Sequence, residues 1–188
     1  MLGNNAILKE YRNGNIVIKP FNINQLGSNS YDVRLGDCIY REKGTSPLFE
    51  LNLPPCNLTE GSIWADAPEI YSDGFVIHKG EFILATTIEA VGGRKNISTL
   101  LKNRSTIERQ GLQVCASAGF GDVGYTSKWT LEIKNISNTD IYIPINIRIA
   151  QISFFYVKGV NIQYKGAYQS QGEWKFEDML PKLGKGRF

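Results

Sequence analysis

Residues 101–132 read LKNRSTIERQGLQVCASAGFGDVGYTSKWTLE and hold most of the chemically distinctive side chains of this 188-residue chain. Arg104 and Arg109 carry planar, permanently charged guanidinium groups whose geometry suits phosphate oxygens. Ser105 and Glu108 have the spacing of a helix capping box, which predicts a short helix at this point. Ser105 and Arg109 would then lie on one face of about one turn. A helix N-terminus beside two arginines is predicted to suit an anion.

Each of these features also has a simpler explanation. Ser-x-x-Glu is a common helix cap, and arginines near a short helix are usually solvated. Gly111 is a typical left-handed stop after a helix, and Gly119, Gly121 and Gly124 could serve only a turn. Taken one at a time, the features favour these explanations. What distinguishes the segment is the order of the features along the chain.

The order of the blocks resembles that of the deoxycytidine triphosphate (dCTP) deaminase branch of the dUTPase-like superfamily. The family pattern runs R-S-(S/T)-x-x-R-x-G-L, then (T/S)-A-G-x-x-D-x-G-(F/Y), then T-L-E-(I/L)-x-N. The chain reads RSTIERQGL (104–112), SAGFGDVGY (117–125) and TLEIKN (130–135). Three outer blocks are also similar to family patterns: SNSYDVRLGD (28–37), IPINIRIAQISFF (143–155) and AYQSQG (167–172).

The resemblance implies an enzyme that hydrolyses dCTP to dUTP and ammonia, and it assigns the residues around the reacting ring. Glu132 would be the general base and acid that shuttles the proton. Ser105 would orient the ring or the attacking water, and Arg109 would hold the pyrimidine end or stabilise developing charge. Ala118 would contribute backbone groups to the base or the water.

The same resemblance assigns the groups that hold the rest of the nucleotide. Arg104 would bind triphosphate oxygens, and magnesium would arrive bound to the triphosphate. Asp122 would accept a hydrogen bond from the deoxyribose 3′-hydroxyl, while Tyr125 would pack near the sugar. Gln151, in the proline-led block, is also assigned to nucleotide binding.

A C-terminal arm is predicted to close over the nucleotide. Tyr164, Tyr168 and Gln171 match the family positions that do so. Where the family usually carries lysine before the tyrosine, this chain has Ala167. Lys165, two residues earlier, could supply the phosphate contact instead.

Deamination of cytosine requires a water activated for attack at C4 and a proton for the departing amine. Zinc deaminases use H-x-E and P-C-x-x-C signatures for this purpose. The single histidine, His78, has no glutamate at the required spacing, and the three cysteines form no C-x-x-C pair. The sequence therefore predicts chemistry without zinc, with a carboxylate as proton shuttle.

The position of Glu132 on a strand leaves two alternatives open. Strand alternation places Trp129, Leu131 and Ile133 on one face, and puts Glu132 on the other with Thr130 and Lys134. From spacing alone, a solvent-facing glutamate paired with a neighbour is favoured. The resemblance favours the shuttle instead, and partial burial would help it by raising the pKa of its carboxyl group.

Composition indicates one compact domain. Hydrophobic residues make up 42% of the chain and the formal net charge is only +3. Because the basic residues are scattered, a nucleic-acid partner is not expected. No apolar run reaches the length of a membrane span and no signal peptide is evident, so a cytoplasmic protein is expected, in host cytoplasm if it is viral.

The pattern of elements is mainly β. A short helix is predicted for residues 5–12 and a long irregular loop for residues 45–73. Between them and after them lie short segments rich in β-branched and aromatic residues, which favour a sandwich or distorted barrel of the jelly-roll type. The predicted strands are residues 16–21, 30–36, 38–42, 75–80, 81–91, 112–118, 129–135, 141–147 and 149–157.

The predicted organisation is a β domain of residues 1–162 and an arm of residues 163–188. By resemblance, the fold is the dUTPase-like distorted jelly roll with short helices. The resemblance also implies a homotrimer with active sites between subunits. One β domain cannot easily surround a triphosphate from all sides.

Three functions remain open at this point. The first is a dCTP deaminase that releases dUTP. The second is a bifunctional enzyme that also cleaves dUTP to dUMP and pyrophosphate, because SAGFGDVG is close to the pattern of such enzymes. In that case Asp122 could activate the water that attacks the α-phosphorus. The third is a non-catalytic jelly-roll protein that keeps a nucleotide pocket.

Overall fold

A computed structural model describes residues 1–43, 62–169 and 174–182 of the chain. The described residues form two helices, α1 (Asn4–Arg12) and α2 (Ser105–Glu108), and 3₁₀ turns at Ile23–Gln25 and Phe176–Met179. The strands are β1 (Ile16–Lys19), β2 (Tyr31–Arg41), β3 (Glu69–Ile70), β4 (Gly74–Ile77), β5 (Phe82–Gly93), β6 (Ile97–Asn103), β7 (Leu112–Gln113), β8 (Phe120–Gly121), β9 (Thr126–Asn135), β10 (Ile141–Pro144) and β11 (Arg148–Tyr156).

Most of the strands belong to one curled antiparallel sheet. Its path runs β7-β9-β5-β2-β11-β6-β8, with β1 paired to β5 and β3 paired to β2. Strands β4 and β10 form a separate pair. The mainly β fold class is confirmed, and α1 lies where a helix was predicted.

Alternation along the strands produces the core. In β9, Ser127, Trp129, Leu131, Ile133 and Asn135 are buried on one face. The opposite face is half-buried as far as Glu132, and the next residue on it is exposed. The aliphatic residues of β1, β2, β5, β6 and β11 join the buried face in one continuous cluster, whose burial is the main stabilising force of the fold.

A connection between β7 and β8 links the two ends of the sheet path. The side-chain oxygen of Asn103, at the end of β6, accepts hydrogen bonds from the backbone amides of Val114 (3.2 Å) and Cys115 (3.0 Å). Farther along, the Leu101 amide donates to the Gly119 carbonyl oxygen at 2.7 Å. The segment that carries Ala118 is therefore fixed to β6.

Several predicted element boundaries were wrong. Segments 30–36 and 38–42 form the single strand β2, with a register irregularity between Leu35 and Ile39. Segment 112–118 contributes only the two residues of β7, because the amides that follow bond to the Asn103 side chain rather than to a strand. Strand β6 was not predicted at all. Residues 97–99 at its start are all buried and only Lys102 is exposed, so its sequence lacks the regular apolar–polar alternation of a half-buried strand.

The predicted capping box does not form. Helix α2 is present and Gly111 adopts a left-handed backbone with φ of 84°. However, Ser105 is the first helical residue, Arg104 occupies the N-cap position and no side chain caps the helix. A capping box needs its serine at the N-cap and its glutamate three residues later, so a helix that begins at Ser105 places both side chains one position too far along.

The predicted loop at residues 45–73 lies partly outside the described residues. Its described end is not wholly irregular, since β3 pairs with β2 and Trp64 bridges to Glu42. Among the described residues, no helix is long and apolar enough to cross a membrane.

The described C-terminal residues pack on the sheet in two pieces. Residues 163–169, the arm segment, begin with a hydrogen bond from the Tyr164 amide to the Val123 carbonyl oxygen (2.8 Å). Residues 174–182, the strap, insert Met179 into a second apolar cluster around Tyr40 and Leu84. Met179 is only 4% exposed, which shows that the strap is seated on the β domain.

Candidate functional site

A cleft of about 600 Å³ lies between the outer face of β9, the residues around β8, the arm segment and the strap. It brings together six of the side chains singled out in the sequence: Ala118, Asp122, Tyr125, Glu132, Tyr164 and Tyr168. Phe82 and Leu84 of β5 and Trp174 of the strap add apolar wall. A volume of this order suits a nucleotide-sized ligand.

Glu132 is the half-buried carboxylate of this cleft. It pairs with Leu84 across the β9–β5 ladder, and its side chain points away from the main core. Within the described part of the chain its carboxylate has no hydrogen-bond or ion-pair partner, so the alternative of a glutamate paired with a neighbour is not what the structure shows. Burial raises the pKa of Glu132, because desolvation penalises the charged form. A raised pKa makes a carboxyl group a better proton acceptor, as a proton shuttle requires.

The small-residue segment that precedes β8 lines the same cleft as Glu132. A side chain at Gly119 would collide with the Leu101 carbonyl oxygen and the Cys115 sulfur, so this position must remain glycine. Ala118 lines the cleft directly before it. Asp122 follows β8, is exposed, and has a carboxylate that contacts no other described side chain.

Tyr125 forms the aromatic wall beside Asp122. Its ring meets Trp129 edge-on at 5.2 Å and Tyr164 edge-on at 5.6 Å between centroids. Burial raises the pKa of Tyr125 to about 12, so the phenol stays neutral at physiological pH. A neutral, fixed ring suits packing against a sugar better than it suits proton transfer.

The arm segment is attached along the same edge. The Gln169 side chain donates to the Gly124 carbonyl oxygen at 3.0 Å and accepts from the Thr126 amide at 3.4 Å. The Tyr168 amide donates to the Tyr164 hydroxyl at 3.3 Å. These contacts hold Tyr164 and Tyr168 at the rim of the cleft.

Four of the predicted site residues do not line the cleft. Arg104 is 3.2 Å from the Asp32 carboxylate, measured from its Nε, and its Nη1 donates to the Arg148 carbonyl oxygen at 3.1 Å. The side-chain amide of Gln151 donates a hydrogen bond to the backbone carbonyl oxygen of Asn103 at 3.2 Å. Ser105 and Arg109 are exposed, and neither side chain has a polar partner among the described residues.

The two remaining predicted residues belong to the arm. Lys165 lines a second, adjoining cavity of about 390 Å³, which it shares with Phe120 and Asp122. Gln171 lies outside the described residues.

The described residues contain no cluster of three histidine, cysteine or acidic side chains that could hold a metal ion. His78 lies outside the cleft and contacts Asp140, with 2.8 Å between Nδ1 and the carboxylate oxygen. Cys38 is buried beneath the strap.

Sequence reasoning missed several side chains that shape the cleft. Asn103 and Gln169 position its walls through backbone contacts, and a single sequence gives no signal for such contacts. Lys128 lies 4.7 Å from the centre of the Trp174 ring at the mouth. The alternation of β9 could have identified Lys128, because it shares the face of Thr130 and Glu132.

Comparison with known proteins identifies the family. A family model described as dCTP deaminase-like matches residues 1–157. A protein of Hathewaya histolytica named "dCTP deaminase, dUMP-forming" is 34% identical over 164 residues, covering 87% of this chain and 88% of its own. A protein of the same name from Methanosphaera stadtmanae is 33% identical over 156 residues, with 82% and 78% covered.

The fold is also similar to that of a solved structure. The crystal structure of 2′-deoxycytidine 5′-triphosphate deaminase from Agrobacterium tumefaciens matches with a TM-score of 0.59 and 20% identity. The match covers 81% of this chain and 47% of that one, so this chain spans about half the length of the solved protein. At this level of identity the likeness shows a shared fold.

Proposed function

Because the chain belongs to the dCTP deaminase-like family, we propose that it deaminates dCTP and cleaves the resulting dUTP, releasing dUMP and pyrophosphate. The names of these relatives support the dUMP-forming activity over a deaminase that stops at dUTP. The observation that carries the deamination step is the half-buried, unpaired carboxylate of Glu132 in a nucleotide-sized cleft.

In the deamination step, Glu132 takes a proton from water as the oxygen attacks C4 of the cytosine ring. It gives that proton to ring N3, then takes the proton of the new C4 hydroxyl group and delivers it to the exocyclic amine, which leaves as ammonia as the C4 carbonyl forms. The backbone around Ala118 faces the same space and would hold the base or the water. The fixed segment before β8 supplies the preorganisation that such a step needs.

In the second step, water attacks the α-phosphorus of dUTP and pyrophosphate leaves. Asp122 is the candidate base for that water, because its carboxylate lines the cleft and contacts no other described side chain. Contact with the 3′-hydroxyl would place the same carboxylate beside the sugar. Tyr125 would pack against the sugar from the adjoining wall.

Magnesium would arrive with the triphosphate. The described residues offer no three-ligand cage, whereas phosphate oxygens beside a carboxylate such as Asp122 are the hard oxygen donors that magnesium prefers. When bound, the ion would neutralise triphosphate charge. The localisation that fits this substrate is the cytoplasm.

A homotrimer would complete the site. Ser105 and Arg109 are exposed with no polar partner in the described chain, and they do not line the cleft of Glu132. In the trimer, Ser105 and Arg109 would enter the cleft of a neighbouring subunit. Arg104 would enter the same cleft after giving up its ion pair with Asp32. Gln151 would act on the nucleotide indirectly, through its hydrogen bond to Asn103.

The deciding experiment is a product analysis. Purified protein is incubated with dCTP and magnesium, ammonia is measured, and nucleotides are separated over time. Ammonia with equal dUMP and pyrophosphate supports the proposal, and accumulated dUTP restricts the function to deamination. Asp122→Asn should convert the first result into the second. Absence of ammonia would favour the non-catalytic nucleotide-binding protein.

A further inference from the structure

Lys182, at the end of the strap, makes an unusual set of contacts with the arm segment. Its Nζ donates to the Ala167 carbonyl oxygen at 2.9 Å, and its backbone amide donates to the Tyr168 hydroxyl at 3.2 Å. The same ammonium lies 5.6 Å from the centre of the Tyr168 ring. One residue thus binds the backbone, hydroxyl and ring face of two neighbouring arm residues.

Asp178 fixes the lysine from the other side. Its Oδ1 is 2.9 Å from the Nζ of Lys182, four residues later in the strap, and its Oδ2 accepts a hydrogen bond from the Lys175 amide at 3.0 Å. Burial raises the pKa of Asp178, but these two hydrogen bonds and the positive charges of Lys182 and Lys175 together outweigh burial, so the pKa is lowered overall. The carboxylate is therefore ionised when it holds the ammonium.

The strap itself has an independent anchor. Met179, adjacent to Asp178, is buried among Tyr40, Trp64 and Leu84. Lys182 therefore connects Tyr168 to a part of the strap that is seated on the β domain. Asp178 and Tyr168 both line the cleft, so the connection lies at its rim.

The contact of Lys182 with Ala167 places a cation near the position where the sequence lacks the expected lysine. The residue before Tyr168 is Ala167, where a lysine was expected, and Lys165 lines the other cavity. The ammonium nearest to Ala167 in the described arm and strap is that of Lys182, which contacts its carbonyl oxygen. A cation is thus present beside Tyr168, but it comes from the strap.

We propose that Lys182 and Asp178 are positioning residues that form a clasp, which holds Tyr168 over the cleft so that it can close on the nucleotide. The inference rests on the proposed function for the identity of the ligand. The clasp itself is a property of the folded chain and can be tested without substrate. Lys182 acts through Tyr168, and its effect should appear mainly in KM for dCTP.

Two measurements on the intact protein test the clasp. The first is the rate of trypsin cleavage after Lys175, an exposed residue of the strap, followed by mass spectrometry without nucleotide. Lys182→Met should raise this rate by about threefold to tenfold, as expected for loss of a partly exposed charged contact. The second is dCTP turnover, in which the same variant should raise KM by a similar factor and change kcat less.

Matched variants separate the clasp from general effects. Lys158→Met removes the same charge from an exposed turn and should leave cleavage after Lys175 unchanged. Lys182→Arg should restore most of the wild-type protection. Asp178→Asn should loosen the strap by itself, and combining it with Lys182→Met should add little, because both changes remove one interaction.

The outcomes distinguish this inference from the proposed function. Wild-type cleavage after Lys175 in both Lys182→Met and Asp178→Asn would overturn the clasp, whatever the enzyme activity. Faster cleavage in a protein that proves inactive on dCTP would support the clasp while rejecting the proposed function. Faster cleavage with unchanged KM would overturn the role of the clasp in positioning Tyr168.

Discussion

Glu132 combines burial with the lack of a partner, two properties that oppose each other in a folded protein. A buried carboxylate is normally paired, because desolvation disfavours the charged form. Here the apolar residues Phe82 and Leu84 line the same cleft, and the described chain supplies no cation to Glu132. The arrangement supports the proposed role of Glu132 in proton exchange with a ligand.

Replacing Glu132 by glutamine tests the shuttle directly. The amide keeps the shape of the side chain but cannot accept the proton of water, so ammonia release should fall by about 10²–10⁴-fold. Binding of dCTP, measured by calorimetry, should persist because the walls of the cleft are unchanged. Turnover close to wild type would eliminate Glu132 as the shuttle.

The raised pKa of Glu132 also predicts a dependence of stability on pH. Below about pH 4, the usual value for glutamate, both folded and unfolded states carry the proton and burial has no ionic cost. As pH rises, the unfolded chain ionises first, so the contribution of this residue to stability falls until pH passes the folded-state pKa. The Glu132→Gln variant has no ionisable group at this position, so its stability does not fall in this way as pH rises.

The measurement is urea unfolding of wild type and variant at several pH values. The free energy of unfolding of Glu132→Gln, relative to wild type, should increase between pH 4.5 and pH 7.5, modestly because the side chain is only half-buried. Glu108→Gln on the exposed face of α2 serves as the control and should show no such trend. If the difference in unfolding free energy between variant and wild type stays constant across this pH range, burial does not disfavour the charged form of Glu132.

For single residues, the sequence predicted which face of a strand a side chain occupies better than it predicted the contacts around that side chain. Strand alternation put Glu132 opposite Trp129, Leu131 and Ile133, and the burial pattern of β9 agrees. That Glu132 lacks a partner depends on the packing of β5 and the strap, which no spacing rule describes. The ion pair of Arg104 with Asp32 joins residues distant in sequence and could not be predicted either.

Among the elements, the connection between β7 and β8 has the greatest effect on the site. It has almost no regular structure, yet it carries Ala118 and leads to Asp122. Its conformation depends on Asn103, which replaces the missing strand partner for two consecutive amides. A side chain on β6 therefore determines where the backbone of the candidate site lies.

Asn103→Ala should damage both the fold and the activity. It leaves two backbone amides without an acceptor, at a cost of about 1–3 kcal/mol for each group that stays buried. Because Ala118 would no longer be fixed, kcat for deamination should fall as well. Asn138→Ala, at an exposed turn, is the matched control. A variant with unchanged unfolding free energy and kcat would show that the connection holds its shape without Asn103.

The elements that the sequence predicted correctly have either a recognisable end in the sequence or a regular spacing of apolar residues. Helix α1 has apolar residues at helical spacing and ends before Gly14, and β9 alternates along its length. Strand β6 lacks this alternation, because its first three residues, 97–99, are all buried. Strand β3 forms only through pairing with β2.

At the scale of the whole molecule, the proposed site residues lie on two different surfaces of one chain. The cleft holds Glu132, Asp122 and Tyr125, whereas Ser105 and Arg109 project from α2 into solvent. A closed ring of identical subunits can bring the α2 of each chain to the cleft of the next, and repeats this contact at every boundary. In the proposed homotrimer, each of the three clefts is therefore completed by residues of a neighbouring subunit.

Mixing two inactive variants tests this arrangement. Arg109→Ala removes the exposed cation without breaking any contact of its side chain in the described chain, and Glu132→Gln removes the shuttle. If neighbouring subunits supply the two residues, random 1:1 trimers formed by refolding together should recover up to about a quarter of wild-type sites, since one ordered pairing in four carries both. Each variant refolded alone measures the background. If both residues act within one chain, the mixture should be no more active than its components, and a fully active monomer in sedimentation would also refute the shared site.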